Sequence, residues 1–239
     1  MRLDQALVER KLVASRTLAQ KLIESGVVTV GGVVTTKTSR KITEGESIEV
    51  TQQMPFVSRG GEKLAHALDF FQINVSGLDC LDVGASTGGF TDCLLQRGTK
   101  RIFCVDSGSN QLHATLRSHE KIAFKESFNA RFMTPEDLPF APQLVVMDVS
   151  FISQTLLLPA IAGVLAAQGA VVSLIKPQFE LSSAELARNG IVRDENLRQK
   201  AIDRVKASAD ELGFKWHGLT ESPIQGGEGN REFLCYLTR

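Results

Sequence analysis

The segment 80–92, Cys-Leu-Asp-Val-Gly-Ala-Ser-Thr-Gly-Gly-Phe-Thr-Asp, constrains the fold of this chain more than any other part of the sequence. It starts as a short apolar strand, breaks into a turn of small residues, and resumes at Phe90 with the apolar spacing of a helix. A strand, a glycine turn and a helix form the opening unit of nucleotide-binding α/β domains. In that unit glycines let the backbone approach a ligand, and the helix start points free N–H groups at it. The segment therefore predicts a ligand site.

The spacing of the glycines indicates which ligand this site binds. Gly84, Gly88 and Gly89 read G-x-x-x-G-G, whereas dinucleotide sites use G-x-G-x-x-G. The observed spacing is similar to that of class I methyltransferases, which implies S-adenosyl-L-methionine as the cofactor. The alternative is an ordinary turn at a strand end. Within this segment, the residues expected to contact the cofactor are Asp82, Gly84, Ala85, Ser86, Gly88, Gly89 and Phe90.

Two residues beyond the glycine turn are further candidates for the cofactor site. Asp106 ends a predicted strand about twenty residues after Gly84, which is a suitable place for a contact to a ribose diol. Asn129 follows the next predicted strand and would lie beside an adenine ring. A loop-capping role for Asn129 is equally consistent with the sequence.

Charged residues also follow the other predicted strands of this domain. Asp148 ends the fourth strand and Lys176 follows the fifth, as Asp82 and Asp106 follow the first two. Open α/β sheets bind their ligands at the carboxyl ends of the strands. Four charged residues at four such ends, next to buried positions, are difficult to explain as solvated surface charges. They indicate that the domain is an enzyme or a former enzyme.

Composition excludes several classes of protein. The 239 residues contain 27 Lys and Arg and 27 Asp and Glu, so the formal net charge is zero. The chain therefore lacks the overall basic charge that would indicate a nucleic-acid partner. Four cysteines without a C-x-x-C pair and four scattered histidines predict buried thiols in a reducing compartment and no metal site.

Pro159, Gly163 and Gly169 interrupt the uncharged stretch 155–175, which favours a buried helix and strand over a membrane span. Without a segment typical of a signal peptide, the sequence predicts a cytoplasmic protein.

Residues 1–58 predict a small module of two helices followed by short strands. Ser15 is placed to cap the second helix, and after Gly26 apolar residues alternate as they do in strands. The runs Arg2-Leu-Asp-Gln-Ala-Leu-Val, Ser15-Arg16 and Val28-Thr-Val30 resemble the S4 RNA-binding domain. The resemblance implies contacts to RNA phosphates, and the candidates are Arg2, Arg16, Lys21, Lys37, Arg40 and Lys41. Eight Lys and Arg against six Asp and Glu leave solvated surface charge as the alternative.

The residues after the fourth strand bear on the methyl acceptor. Enzymes that methylate exocyclic amines place Asp/Asn-Pro-Pro-Tyr/Phe there, whereas this chain has Asp148-Val-Ser-Phe151. Methylation of a base carbon needs a nucleophilic cysteine, and no cysteine lies at a predicted strand end of the site. The remaining groups are Asp148 and Lys176, with Lys63 in the first turn of a predicted helix and Glu232 at the start of the last strand.

Lys63, Asp148, Lys176 and Glu232 match, in order and setting, the lysine-aspartate-lysine-glutamate tetrad of FtsJ-type ribose 2′-O-methyltransferases. Glu228 is a nearby rival of Glu232. With the S4-like start and the runs Arg-Gly-Gly-Glu-Lys and Lys-Pro-Gln-Phe-Glu, the chain resembles the TlyA family over essentially its full length. The resemblance implies an S4-like domain at 1–58 and an FtsJ-like domain at 59–239. The latter would be a Rossmann-like α/β class I methyltransferase fold, with a mostly parallel seven-stranded sheet and an antiparallel last strand.

Members of the TlyA family methylate the ribose 2′-oxygen of cytidine in ribosomal RNA, and many carry the name haemolysin. The resemblance implies ribosomal RNA or ribosomal subunits as partners, and neither a metal nor a membrane span. Lys176 would act as the base or stabilise the developing alkoxide, oriented by Asp148, while Lys63 and Glu232 would position the ribose. The alternatives are a non-catalytic RNA-binding protein, against which the intact tetrad argues, and a membrane-lytic protein, which would need an amphipathic basic helix.

Overall fold

The computed structural model describes residues 1–50, 55–186, 190–226 and 229–239. The chain divides into two compact units, Met1–Pro55 and Phe56–Arg239. Phe56 and Val57 belong to the second unit because both pack against its core, and the Val57 N–H donates to Asp92 Oδ2 at 2.8 Å.

The first unit contains two helices and three short strands. They are α1 (Leu3–Glu9), α2 (Arg16–Glu24), β1 (Val28–Val30), β2 (Val33–Val34) and β3 (Ile48–Val50). The strands form an antiparallel sheet in the order β2-β1-β3, and a core that includes Leu3, Leu7 and Ile23 lies between sheet and helices. The Ser15 hydroxyl accepts a hydrogen bond from Leu18 N at 3.2 Å, which confirms the predicted cap of α2.

A buried carboxylate, Asp4, joins the two helices of the first unit. It accepts hydrogen bonds from Arg2 Nε and Arg16 Nε, each at 2.9 Å, and from Gln20 Nε2 at 3.0 Å. The bond from Arg2, followed by those from Arg16 and Gln20, holds the pKa of Asp4 well below its usual range, although burial acts in the opposite direction. The start of α1 is therefore fixed to α2 by charge-assisted hydrogen bonds.

The second unit is built on a seven-stranded sheet. Its strands are β4 (Asp79–Val83), β5 (Arg101–Val105), β6 (Ile122–Lys125), β7 (Leu144–Met147), β8 (Ala170–Ile175), β9 (Lys215–Glu221) and β10 (Phe233–Thr238). Their order across the sheet is β6-β5-β4-β7-β8-β10-β9, and β10 runs antiparallel to both of its neighbours. The sheet is therefore mostly parallel with an antiparallel last strand, as the sequence predicts.

Helices cover both faces of this sheet. They are α3 (Gly60–Phe70), α4 (Gly89–Gln96), α5 (Ala114–Arg117), α6 (Leu158–Val164), α7 (Pro177–Glu180) and α8 (Glu195–Glu211). Because side chains alternate along a strand, Cys80 of β4 packs with α3 and α4 on one face, whereas Leu81 packs with α6 and α8 on the other. The strand order reverses at β4, which leaves a crevice at the carboxyl ends of β4, β5 and β7.

Three expected element positions differ by a few residues. Glu232 precedes β10, which begins at Phe233, rather than starting the strand itself. Asp82 lies inside β4, one residue before its end. The helix expected to end near Ala167 ends at Val164, because Leu165 is already extended.

The four cysteines of the second unit are free and buried. Burial raises the pKa of Cys80, Cys93 and Cys235 to about 12, so these thiols are protonated at neutral pH and fill the core. In the described part of the chain, no helix is long and apolar enough to cross a membrane. The same residues contain no cluster of three or more His, Cys, Asp or Glu that could hold a metal ion.

Candidate active site

Gly84 is the residue at which the glycine turn meets the neighbouring strand. Its φ of +83° lies in the left-handed region that favours glycine. A Cβ on Gly84 would lie 2.6 Å from the carbonyl oxygen of Asp148 and 3.0 Å from Val149 Cγ1. Glycine is therefore needed both for the backbone conformation of the turn and for the close approach of the loop that carries Asp148.

A cavity of about 620 Å³, which we call the larger cavity, lies at the carboxyl ends of β4, β5 and β7. Asp106 lines it, and two backbone donors, Ser86 N and Gly108 N, hold the Asp106 carboxylate at 2.7 Å each. Asn129 also lines it, while Asn129 Oδ1 accepts from Arg131 N at 3.1 Å and caps the 3₁₀ turn that follows. The capping role of Asn129 is therefore confirmed, and Asn129 also lines the cavity.

A second cavity of about 310 Å³, the smaller cavity, shares residues with the larger one. Gly84, Ser86, Asp148 and Ser150 line both. The remaining predicted site residues that line the smaller cavity are Lys63, Ala85, Gly89, Phe90 and Lys176. The glycine turn therefore lies between the space suited to a nucleoside and the space that contains the two lysines.

The four tetrad residues form two lysine–carboxylate pairs. Lys63 Nζ donates to Glu232 Oε2 at 2.5 Å, and both side chains are nearly buried. Lys176 Nζ lies 2.5 Å from Asp148 Oδ1 as an ion pair, while its well-directed hydrogen bond goes to Ser150 Oγ at 3.0 Å. Lys63, Asp148 and Lys176 line the smaller cavity, and Glu232 is connected to it through Lys63.

The turn before β10 fixes the position of Glu232. Gly226 has no room for a side chain, because a Cβ there would collide with Glu232 Oε1. Gly226 N donates to Asn230 O at 2.9 Å, and the buried Asn230 side chain accepts from Val192 N at 2.8 Å. The rival residue Glu228 lies outside the described residues.

Two predicted cofactor residues do not line either cavity. Asp82 is fully buried, and its Oδ2 accepts from Thr91 Oγ1 of α4 at 2.6 Å. Burial raises the pKa of Asp82 to about 7, and the hydrogen bond from Thr91 opposes that increase. Gly88, with a φ of +98°, packs against Leu116, where a Cβ would collide. Both residues support the glycine turn without lining a cavity. Asp82 joins β4 to α4 through its bond with Thr91, and Gly88 lets Leu116 of α5 pack against the turn.

The six RNA-binding candidates of the first unit differ in their contacts. Arg2 and Arg16 are bound to Asp4, although each side chain remains about half exposed. Arg40 lies 3.5 Å from Glu46 Oε1. The remaining candidates, Lys21, Lys37 and Lys41, are exposed.

Phe151, with Phe179 packed against it, is a candidate site residue that the sequence reasoning missed. Phe151 is 91% exposed, has a φ of +63°, and lines the larger cavity. Its ring centroid lies 5.1 Å from that of Phe179. A bulky residue in the left-handed region is strained, and such strain is concentrated at functional sites. The signal was present in the sequence, since each phenylalanine follows a tetrad residue by three positions: Asp148-x-x-Phe and Lys176-x-x-Phe.

The site fits S-adenosyl-L-methionine by the chemistry of its residues. The Gly84 backbone is open to both cavities, as a ligand that spans them requires. The Asp106 carboxylate lines the larger cavity and keeps oxygen lone pairs beyond those used by the two backbone N–H groups, so it can accept hydrogen bonds from a diol. Adjacent to this space, two lysines can donate to, or receive a proton from, a hydroxyl group.

The chain is similar to known proteins along both of its units. The FtsJ-like methyltransferase family matches residues 56–239, and the S4 domain matches residues 1–48. Hemolysin A of Brachyspira hyodysenteriae is 42% identical over 238 residues, covering 99% of this chain and 99% of that protein. The 16S/23S rRNA (cytidine-2′-O)-methyltransferase TlyA of Mycobacterium tuberculosis is 39% identical, over 99% of this chain and 89% of that protein.

Solved structures support the same fold. One from Streptococcus thermophilus that carries the hemolysin name is 40% identical, covers 100% of this chain and 88% of its own, and has a TM-score of 0.80. An S-adenosylmethionine-dependent methyltransferase structure from Listeria monocytogenes is 13% identical, with a TM-score of 0.57 over 75% of this chain and 98% of its own, and supports the fold alone. The cofactor is S-adenosyl-L-methionine. The chain belongs to the TlyA family, in which an S4 domain precedes an FtsJ-like methyltransferase domain.

Proposed function

We propose that this protein transfers a methyl group to the ribose 2′-oxygen of a cytidine in ribosomal RNA, in the cytoplasm. The observation that carries the proposal is the pair of lysine–carboxylate contacts, Lys63–Glu232 and Lys176–Asp148, at the smaller cavity beside the glycine turn. The Mycobacterium tuberculosis relative is named for this reaction on 16S and 23S rRNA, which supports cytidine and ribosomal RNA as the substrate.

The residue types suit a hydroxyl acceptor. A ribose hydroxyl is a weak nucleophile at neutral pH and has to lose its proton as the methyl group transfers. Lys176 Nζ, held by Asp148 and Ser150, is placed to take that proton or to stabilise the developing oxyanion as an ammonium. Lys63, held by Glu232, offers a second donor that positions the ribose. When bound, S-adenosyl-L-methionine supplies the activated methyl group.

The cysteines argue against methylation of a base carbon, which needs a thiolate nucleophile. None of the four lines the larger or the smaller cavity, and all are buried. Burial raises the pKa of each thiol, so a thiolate is disfavoured at every one of these positions.

Transfer to intact ribosomal subunits tests the proposed reaction against the other class of activity that the hemolysin name suggests. We expect label from methyl-labelled S-adenosyl-L-methionine to enter RNA of purified subunits and to be absent from protein. In parallel, dye-loaded anionic vesicles exposed to the same protein should retain their dye. Vesicle leakage without RNA labelling would favour a membrane-active protein.

Exchange of Phe151 for alanine should weaken use of the RNA substrate. The exposed ring at the mouth of the larger cavity offers a stacking surface for the target base, and such stacking contributes roughly 1–3 kcal/mol per base. We expect KM for RNA to rise about 5- to 150-fold, with a much smaller effect on the affinity for S-adenosyl-L-methionine, because the ring is 91% exposed although it lines the larger cavity. Phe70→Ala is the matched control, because Phe70 is also exposed but lies at the far end of α3 and should leave KM unaltered. An unaltered KM in the Phe151 variant would remove this residue from substrate binding.

The first unit, which contains the S4 domain and is called the S4 unit from here on, should supply phosphate contacts through its exposed lysines. We expect the double change Lys21→Gln and Lys41→Gln to weaken RNA binding and to reduce the salt slope by about 0.7 for each phosphate contact removed. These lysines are better test positions than Arg16, whose neutralisation would also disturb the buried Asp4. Lys100→Gln serves as control, since Lys100 is exposed at the amino edge of the sheet in the second unit. If filter-binding titrations gave the same slope for the double variant and wild type, the proposed RNA face would be wrong.

A further inference from the structure

The Glu180 carboxylate lies between the two loops that carry the catalytic Asp148 and Lys176. One loop, 148–154, follows β7, and the other, 176–180, follows β8 and includes the short helix α7. Glu180 ends the second loop and is 1% exposed. Its Oε2 accepts from Ser153 Oγ at 2.5 Å, and its Oε1 accepts from Gln154 N at 2.9 Å. Both oxygens of the Glu180 carboxylate thus bind the loop 148–154.

Gln154 extends this connection into the sheet. Its side chain is 1% exposed, and Gln154 Nε2 donates to Leu174 O of β8 at 2.5 Å. Ser173 Oγ, also on β8, donates to Gln154 Oε1 at 2.8 Å. The end of the loop 148–154 is therefore hydrogen-bonded to β8, which precedes Lys176, and also to Glu180, which follows Lys176.

Burial of a carboxylate is unfavourable unless hydrogen bonds replace its contacts with water, as the bonds from Ser153 and Gln154 do here. Burial raises the pKa of Glu180, opposed by the hydrogen bonds from Gln154 and Ser153 and more weakly by Arg204 of α8. Arg204 itself donates to the backbone carbonyl of Glu180 at 2.8 Å and so holds the main chain at this position. The hydrogen bonds to the carboxylate come from Ser153 and Gln154 of the loop 148–154. Cys235 of β10 also has an electrostatic interaction with Glu180.

We propose that Glu180 is a positioning residue for methyl transfer, which joins the two loops and so sets the separation of Asp148 from Lys176 and of Phe151 from Phe179. The inference rests on the proposed function, because it assigns Asp148 and Lys176 to the reaction. Glu180 lines neither cavity, so it acts through these side chains. Displacement of reacting groups by about 1 Å can lower a rate by about 100-fold.

Glu180→Gln tests the proposal with little change in shape. A glutamine has one acceptor oxygen, which can still accept from the Gln154 N–H, whereas its NH₂ group can only donate to the Ser153 hydroxyl; both charge-assisted bonds to the carboxylate thus become weaker neutral bonds, and one reverses its direction. We expect kcat to fall roughly 10- to 100-fold, with the affinity for S-adenosyl-L-methionine and KM for RNA close to wild type. Amide hydrogen exchange should become faster in both loops, 148–154 and 176–180.

Glu185→Gln is the matched control. Glu185 also caps a backbone N–H, that of Ser182, and pairs with Lys200, but it contacts neither loop. The same chemical change at this position should leave kcat and loop exchange as in wild type. An equal loss of kcat in both variants would show a general effect of removing a carboxylate and would overturn the proposal.

Ser153→Ala removes one of the two bonds while Glu180 remains, and it keeps the proposal testable if Glu180→Gln does not fold. It should lower kcat in the same direction, and the double variant should lose less than the product of the two single effects, because both act on one connection. Wild-type kcat in folded Ser153→Ala and Glu180→Gln variants, or unchanged exchange in both loops, would overturn the inference. Failure of the proposed function would appear instead as a wild-type protein that leaves ribose unmethylated, and loop exchange would then still decide whether Glu180 orders the loops.

Discussion

Lys176→Ala is expected to remove methyl transfer while the affinity for S-adenosyl-L-methionine stays at the wild-type value. Lys176 Nζ is held by Asp148 at 2.5 Å and by Ser150 at 3.0 Å, at the wall of the smaller cavity. In this account it acts on the ribose hydroxyl and has no part in holding the cofactor. Loss of a positioned acid–base group typically lowers the rate by roughly 10²- to 10⁴-fold. Single-turnover methylation of ribosomal subunits measures the loss, and calorimetry measures the cofactor affinity.

Lys176→Arg separates the two roles that remain open for this lysine. A guanidinium keeps the positive charge but cannot accept a proton at workable pH, and its shape differs from that of an ammonium. If Lys176 is the base, the arginine variant should be nearly as inactive as the alanine variant. If it only stabilises the oxyanion, part of the activity should return.

The control for both variants is Lys200→Ala, which breaks the ion pair of Lys200 on α8 with Glu185 and should leave turnover intact. Near-normal turnover of Lys176→Ala on intact subunits would return Lys176 to the role of a structural partner of Asp148.

Gly84→Val is expected to abolish binding of S-adenosyl-L-methionine. The φ of +83° strains any β-branched residue, and the new Cβ would lie 2.6 Å from the Asp148 carbonyl oxygen, so the turn and the Asp148 loop have to separate. The change therefore reaches both the cofactor site and the position of a tetrad residue. Calorimetric titration should detect no binding at cofactor concentrations that saturate the wild type.

Gly77→Val distinguishes the collision from backbone strain alone. Gly77 has a similar φ of +74°, but a Cβ there would have no neighbour within 4 Å. Both variants carry the strain of a left-handed valine, roughly 1–3 kcal/mol of unfolding free energy, and should show a lower Tm. Only the Gly84 variant should lose the cofactor. Wild-type affinity in Gly84→Val would place the cofactor somewhere other than this turn.

Local patterns in the sequence were sufficient for the central parallel strands and their ends, whereas the full sheet with its antiparallel last strand came from the resemblance to a family. The apolar runs that end at Asp106 and Asp148 are short and buried on both faces, which is the pattern of central parallel strands. Since parallel strands end at one edge, their terminal residues could be placed together before any coordinates were known. Asp82 is the instructive departure: it lies one residue before the strand end, and that position turns its side chain into the core beside Thr91.

Contacts between distant residues could not be predicted in this way. Lys63 and Glu232 meet across 169 positions of sequence, and only resemblance to a known tetrad suggested the pair. Glu180 looks like a surface residue on a short helix, because its bonds to Ser153 and Gln154 depend on how two loops pack. In the S4 unit, Arg2 and Arg16 read as free cations until the structure shows the buried Asp4 between them.

The most direct test of the central claim is to map the methylated atom. Purified ribosomal subunits are incubated with this protein and methyl-labelled S-adenosyl-L-methionine, and the RNA is digested to nucleosides and analysed by mass spectrometry. We expect the label in 2′-O-methylcytidine, and none from the Lys176→Ala variant. Label on a base carbon or an exocyclic amine, with the ribose unmodified, would contradict the assignment of Lys63, Asp148, Lys176 and Glu232.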